Sequence, residues 1–309
     1  MKIAFLGTPA FAVPSLQALI DAGHTLCVFS QPDRPAGRHG TVAPTPVKAL
    51  ALAHGIPVRQ FERIRSAEGA AALRDFAPEL MVTAAFGQLL SQENLDVPPL
   101  GCINVHASLL PRYRGPAPIQ WAVIDGEKET GVTTMMTDIG MDTGDILLFE
   151  RTPIGAQETA GELYERLAAI GARVLMRTLD QLAAGTLVRT PQDAAAATRC
   201  PMLKKEHGKL DFSQPAQRVH DRVRGVNPWP GAYAAIDGGE TLKIWKTRLT
   251  GAQGAALPPG ACVGDAREGL FVKCADELLE LLEVQAPGGR RLDGRAFLRG
   301  RPLAGRVLS

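Results

Sequence analysis

The first third of the chain repeats one rhythm, and that rhythm limits the folds open to it. Short β-branched apolar runs, KIAFLG, TLCVFS, PVRQF, ELMVTAA and GCINVH, alternate with helix-spaced stretches such as the one from about Pro14 to Ala22 and PVKALALAHG. Strands that alternate with helices pair in parallel through right-handed crossovers, so the pattern predicts an α/β domain built on a mostly parallel, Rossmann-like sheet. Two further runs, TGVTTMMTDIG and DILLFERTPI, are expected as paired strands at the sheet edge. The segment TAGELYERLAAIGARVLMRTLDQLAAG then carries apolar residues at helical spacing and stops at Gly185, which predicts a long amphipathic helix closing the domain.

At 309 residues the chain exceeds what one hydrophobic core usually serves, so a second domain is expected. Residues 186 to 205 lose the apolar periodicity and gain Pro191 and Pro201, as a linker does. Beyond them PAQRVHDRVRGV reads as one helix, and TLKIWKTRL, GACVGD, GLFVKCA and LLELLEVQ read as short strands between Gly-rich turns. That composition predicts a smaller C-terminal β-barrel of OB-like type. The expected boundaries are 1–189, a linker over 190–205, and 206–309.

The start, MKIAFLGTPAF, is neither a secretory signal nor a membrane span, and no later stretch is long enough to be one. Five scattered cysteines without a C-x-x-C argue against disulfides and zinc and point to a reducing cytoplasm. Charge is unevenly placed: residues 190–309 hold 18 Lys and Arg against 13 Asp and Glu, a net of +5, which leaves −3 for residues 1–189. A basic C-terminal part suits an anionic partner such as nucleic acid, and chance clustering of surface charge gives the same count. Lys204 and Lys205 in RCPMLKKEHGK, and Arg218 and Arg222 four apart on one helix, lead that excess. The arginines at the C-terminal end, Arg290 to Arg306, fit either a grip on a polyanion or a solvated tail.

Chemistry gathers around GCINVHASLLPRYRGPAPI. On a strand, residues two apart share a face, so Asn104 and His106 offer an amide and an imidazole side by side, at a carboxyl end where parallel sheets bind ligands. An amide donor beside a protonatable ring suits an oxyanion; taken singly, each also fits a polar residue satisfying a local group. Asp142, in the Gly-flanked turn TDIGMDTGDIL, can bring a carboxylate to that strand end, orient the ring and favour its charged form. Asp138, Asp142 and Asp145 are also conceivable calcium ligands, but their spacing lacks the distal Glu of a calcium loop, and no metal is expected. The Pro- and Gly-rich SLLPRYRGPAPI reads as a stiff pocket wall. FLGTPAFAVPSLQAL lacks the G-x-G-x-x-G of a dinucleotide site.

The ordered series NVH, SLLPRYRG and DTGD resembles the formyltransferases that use 10-formyltetrahydrofolate. GTPAFAVPSL, QPDRPAGR, TPVKALA, FGQLL and NPWPGAY extend the likeness to those members of the family that act on methionyl-tRNA. The resemblance implies transfer of a formyl group from 10-formyltetrahydrofolate to the α-amino group of methionyl initiator tRNA, with no metal and no obligate protein partner. It implies Asn104, His106 and Asp142 as the catalytic trio, Ser108, Leu109, Leu110 and Pro111 as folate contacts, and Arg34, Arg38 and Lys48 as cations of a loop reaching the tRNA acceptor end. That loop is expected to be mobile without tRNA. Two departures stand out: the loop continues His39, Gly40, Thr41, Val42 where more lysines are expected, and Phe86 replaces a tyrosine in the FGQLL motif. Rival readings are a formyl-folate transferase or hydrolase acting on a small amine, and a non-catalytic RNA-binding protein.

Overall fold

The computed structural model describes residues 1–36, 41–254 and 256–309. They form two compact units, one of Met1–Pro118, Glu129–Thr152 and Tyr164–Cys200, the other of Ile119–Lys128, Pro153–Leu163 and Pro201–Ser309. The stretch expected as a linker is divided between them, through Cys200 to the first and from Pro201 to the second.

In the first unit the strands are β1 (Lys2–Gly7), β2 (Thr25–Ser30), β3 (Arg34–Ala36), β4 (Thr41–Ala43), β5 (Val58–Gln60), β6 (Leu80–Ala84), β7 (Cys102–His106), β8 (Glu129–Met136) and β9 (Ile146–Pro153). Seven of them make one sheet in the order β5-β2-β1-β6-β7-β8-β9. The pairs from β5 to β7 are parallel and β7–β8 is antiparallel, which is the mostly parallel sheet the sequence predicts. The chain moves outward from β1 to β2 and β5, then returns to β6 on the other side of β1, so the switch in strand order lies between β1 and β6. Ligands of such sheets settle beyond the carboxyl ends of the strands near that point.

The helices along this part of the chain are α1 (Val13–Asp21), α2 (Pro46–Ala53), α3 (Ala67–Phe76), α4 (Gln92–Leu95), α5 (Pro118–Ile124), which after Pro118 belongs to the second unit, and α6 (Ala160–Ala183), which belongs to the first from Tyr164 on. Caps fix the starts of α2 and α3: Thr45 accepts from the Lys48 N–H ahead of Pro46, and Ser66 accepts from the Gly69 N–H. Helix α3 was not expected, because its buried face is Gly69, Ala70, Ala72 and Leu73, which gives little apolar contrast. The β3–β4 ladder is also new, since Gly and Pro in that stretch suggested only a loop. Helix α6 lies close on β7: a Cβ at Gly171 would stand 2.9 Å from Val105 Cγ1. Val105 thus faces the helix, and the alternation of the strand turns Asn104 and His106 to the opposite face.

The second unit holds β10 (Ala232–Ala235), β11 (Thr241–Leu249), β12 (Cys262–Val263), β13 (Phe271–Lys273), β14 (Leu278–Gln285) and β15 (Leu292–Asp293), with α7 (Ala216–Gly225) and α8 (Gly294–Gly300). The sheet runs β10-β11-β14-β13-β12 with β15 on β14, and every pair is antiparallel. Its two ends are stitched by the last residues of the chain: Leu308 bridges Ile236 just past β10, and Val307 bridges Ala261 just before β12. The sheet therefore curls toward the expected OB-like barrel, with the C-terminal segment as its closing piece. The arginines there are engaged: Arg301 pairs with Glu240, Arg306 Nε is 3.0 Å from Asp237, and Arg291 lies 3.6 Å from the centroid of the Trp245 ring.

Helix α7 buries a histidine. His220 Nε2 faces the Ala156 carbonyl at 3.1 Å and so carries the hydrogen, while Nδ1 lies 2.8 Å from Thr247 Oγ1 and accepts from it. Burial, opposed by the bond to Ala156, lowers its pKa from the ordinary 6.5. The unfolded chain then binds more protons than the folded one below about pH 6.5, so stability is full above that value and is lost as pH falls toward the folded pKa. The unit should unfold more easily at pH 5.5 than at pH 7.5, and His220→Gln should flatten that dependence in denaturant titrations. An equally steep dependence in the variant would assign it to other groups.

Candidate active site

Asn104 and His106 occupy the carboxyl half of β7, and the turn between β8 and β9 brings Asp142 to them. Asn104 Nδ2 is 3.5 Å and His106 Nδ1 3.7 Å from the same carboxylate oxygen, Asp142 Oδ1. Both separations lie at or beyond hydrogen-bond length, so neither donor is locked onto the carboxylate. The other oxygen, Oδ2, accepts a 2.8 Å bond from the Gly115 N–H. The carboxylate is thus fixed through one oxygen and presents the second to the amide and the ring.

Each member is oriented by a neighbour that was not among the residues expected to act. Thr83, opposite Asn104 in the β6–β7 register, donates its hydroxyl to Asn104 Oδ1 at 2.9 Å, which turns the amide NH2 toward Asp142. His106 is buried, and its Nε2 lies 3.0 Å from the Tyr113 carbonyl. A carbonyl only accepts, so Nε2 carries a hydrogen and any second proton sits on Nδ1, facing Asp142. Asp142 holds φ +55°, a left-handed conformation that Asp tolerates better than most residues. Tyr113 at φ +57° and Ala85 at φ +45° are strained as well, each at a cost of order 1–3 kcal/mol. Ala85 and Tyr113 lie in the turns after β6 and β7, and Asp142 in the β8–β9 turn that meets them. Thr83 has no sequence signal beyond lying beside the motif, whereas Tyr113 lies within SLLPRYRG, whose stiffness was legible but not the role of the Tyr113 carbonyl.

The residues implied as folate contacts form the turn that leaves β7. Ser108 is fully buried and its hydroxyl donates to the Arg112 carbonyl at 2.7 Å. Thr133 Oγ1 on β8 accepts from the Leu110 N–H and donates to the Ser108 carbonyl. Leu109 Cδ2 would stand 2.5 Å from a Cβ at Gly131, so that glycine makes room for it, and Pro111 continues the turn half-buried. The turn is held from both sides in one shape. Phe86 packs into the core with Leu6, Phe29 and Met81, and its carbonyl accepts from Thr8 Oγ1 and Gln31 Nε2, both at 3.0 Å. Its ring lies in an apolar cluster where a phenol oxygen has no need to be. Asp138 accepts from the Gly140 N–H and the Thr143 hydroxyl, which makes it a turn residue. Among the described residues, no three His, Cys, Asp or Glu gather as metal ligands.

The cations singled out from sequence differ in their surroundings. Arg34 is well exposed in an ion pair with Glu62, and Arg38 lies outside the described residues. Lys48 is tied to Asp33 at 2.5 Å and to Gln60 Oε1 at 2.8 Å, and these bonds from Lys48 and Gln60 lower the Asp33 pKa. In the second unit Lys204, Lys205 and Arg218 are exposed. Lys204 Nζ is 3.5 Å from Glu206, and Arg218 reaches the Asp125 carbonyl at 3.5 Å. Arg222 is half-buried, 5.9 Å from the centroid of the Trp121 ring, whose edge meets His207. Burial lowers its pKa, opposed by Asp125.

A family model described as formyl transferase matches residues 1–179, and one described as formyl transferase, C-terminal domain, matches residues 202–302. The methionyl-tRNA formyltransferase of Pelobacter propionicus is 49% identical over 304 residues, covering 98% of this chain and 94% of that protein. That of Solibacter usitatus is 50% identical over 305 residues, with 98% and 96% covered. Among solved structures, the N-formyltransferase from Helicobacter canadensis in complex with folinic acid and dTDP-3-aminofucose superposes with a TM-score of 0.70 at 18% identity, covering 94% of this chain and all of that one. A likeness at that identity speaks for the fold alone.

Proposed function

The chain belongs to the methionyl-tRNA formyltransferase family, and from that membership we infer that it moves a formyl group from 10-formyltetrahydrofolate to the α-amino group of methionyl initiator tRNA. The geometry that supports this reading best is the meeting of Asn104 Nδ2 and His106 Nδ1 around one oxygen of Asp142. When a neutral amine attacks the formyl carbon, negative charge gathers on the formyl oxygen, and donors already aimed at that point stabilise it. Asn104 is so aimed because Thr83 holds its other end. His106, charged through a proton on Nδ1, is the second donor. Asp142 Oδ1 stabilises that charge and takes the proton leaving the amine; as the adduct collapses the bond from the formyl carbon to N10 breaks and that proton passes to the leaving N10, while Asp142 Oδ2 stays on Gly115. The donor supplies the one-carbon group, and Ser108 to Pro111 form the wall against which its ring lies.

We assign the folate chemistry to residues 1–189 and the grip on the tRNA backbone chiefly to residues 206–309 with the adjoining Lys204 and Lys205. Arg34 and Arg38 are the cations of the loop that approaches the acceptor end; Lys48, held by Asp33 and Gln60, supports the loop from within. The working compartment is the cytoplasm, where aminoacylated tRNA and reduced thiols coexist. Among the described residues no helix is long and apolar enough to cross a membrane.

A formylation assay with charged initiator tRNA and 10-formyltetrahydrofolate tests the reading directly, and transfer to a small amine but not to tRNA would overturn it. Salt dependence tests the grip. Each lost phosphate contact removes roughly 0.9 from the slope of log K against log salt on duplex nucleic acid. Lys205→Gln with Arg218→Gln should therefore flatten the slope by about two and leave formyl-folate affinity as it was. An unchanged slope would release these two residues from the tRNA.

A further inference from the structure

We propose that Gln192 is a positioning residue for the formyl transfer, clamping together the two turns that hold His106 and Asp142. Its side-chain amide is used at both ends. Oε1 accepts from Arg114 Nε at 3.0 Å and from a terminal nitrogen of the same guanidinium at 2.8 Å. Nε2 donates to the backbone carbonyls of Asp142 at 2.9 Å and Gly144 at 2.7 Å. One side chain thus carries four hydrogen bonds, two to each turn.

The two turns are those on which the catalytic geometry depends. Arg114 is buried and follows Tyr113, whose carbonyl fixes the His106 ring; it precedes Gly115, whose N–H holds Asp142 Oδ2. The Asp142 carbonyl belongs to a residue at φ +55°, a conformation that needs its surroundings to keep it. The segment carrying Gln192 is itself anchored on either side. Thr190 bridges Ile146, while Thr198 accepts from Tyr113 N–H through its hydroxyl and from Arg114 N–H through its carbonyl. The stretch read from sequence as linker therefore reaches back over the site's supports. Groups that only orient reacting side chains commonly change rate by 10- to 100-fold when removed, and they act on turnover more than on substrate affinity.

The proposal rests on the assigned activity, so two readouts are needed. Gln192→Met keeps length and removes all four bonds; Gln192→Glu keeps an acceptor for Arg114 but sets an oxygen against the Asp142 and Gly144 carbonyls. Both should lower kcat by about 10- to 100-fold while KM for formyl-folate and for charged tRNA moves by less than about threefold. Without any substrate, NMR should show displaced His106 ring and Asp142 amide resonances in both variants, with β1 amides unmoved. If the wild-type protein formylates no tRNA, the functional reading fails and the NMR comparison still judges the clamp. Wild-type kcat or unmoved His106 and Asp142 resonances in the folded Glu variant would overturn the clamp. So would a kcat loss matched by equal rises in both KM values, which would mean a general scaffold role.

Discussion

Replacing Asn104 with alanine is expected to slow formyl transfer by roughly 10² to 10³, the loss of about 2.7–4 kcal/mol that follows removal of one oxyanion donor. The effect should fall on the chemical step, because the residues assigned to the folate wall, Ser108 to Pro111, are held by Thr133 and Arg112 independently of Asn104. Formyl-folate affinity should therefore change little. The Thr83 hydroxyl already fixes the amide, so the donor needs no reorganisation at the moment of reaction, and its deletion cannot be made good by a neighbour. His106→Ala should cost a similar factor, and the double variant much less than the product, since the two donors serve one oxygen. Single-turnover rates with enzyme in excess over charged tRNA are the measurement. Rates within about twofold of wild type for either single variant would remove that residue from the site.

Much of this was legible in the sequence because it is local. Strand periodicity placed Asn104 and His106 on one face, and glycines around Asp142 marked the turn that returns to them. The alternating first third of the chain likewise predicted the parallel sheet. The unread elements depend on contacts distant in sequence. Thr83 matters only because the β6–β7 register sets it beside Asn104, and Gln192 only because a segment without periodicity folds back some fifty residues onto Asp142. Helix α3 escaped because alanine and glycine make its buried face. Residues 119–128 and 153–163 group with the second unit although they lie far ahead of it in the chain. Such membership follows from packing, which no composition shift announces.

Charge was the least legible property, since a count of arginines does not say which face water. Helix α7 shows the difference: Arg218 is exposed, Arg222 rests on Trp121, and Arg224 is buried. Arg224 pairs with the equally buried Asp221 and donates to the carbonyls of Gly155 at 3.1 Å and Glu158 at 2.7 Å. Asp221 also accepts from Gln217. Asp221→Ala should therefore destabilise the second unit by about 3–5 kcal/mol, because it leaves a guanidinium in a dry site without its counter-charge. Substituting both members, Asp221→Leu with Arg224→Met, should recover much of that loss, since the desolvation of two charges disappears together. All three tryptophans, Trp121, Trp229 and Trp245, lie in this unit, so denaturant unfolding followed by tryptophan fluorescence reads its stability separately from that of the first. A single-variant loss below about 1 kcal/mol would show that water or another group compensates Arg224. A double variant no better than the single one would assign the stability to the backbone bonds of Arg224 at Gly155 and Glu158. Either way Arg224 belongs to the fold, so tRNA binding measured on folded protein at fixed salt should respond to Arg218 and not to Arg224.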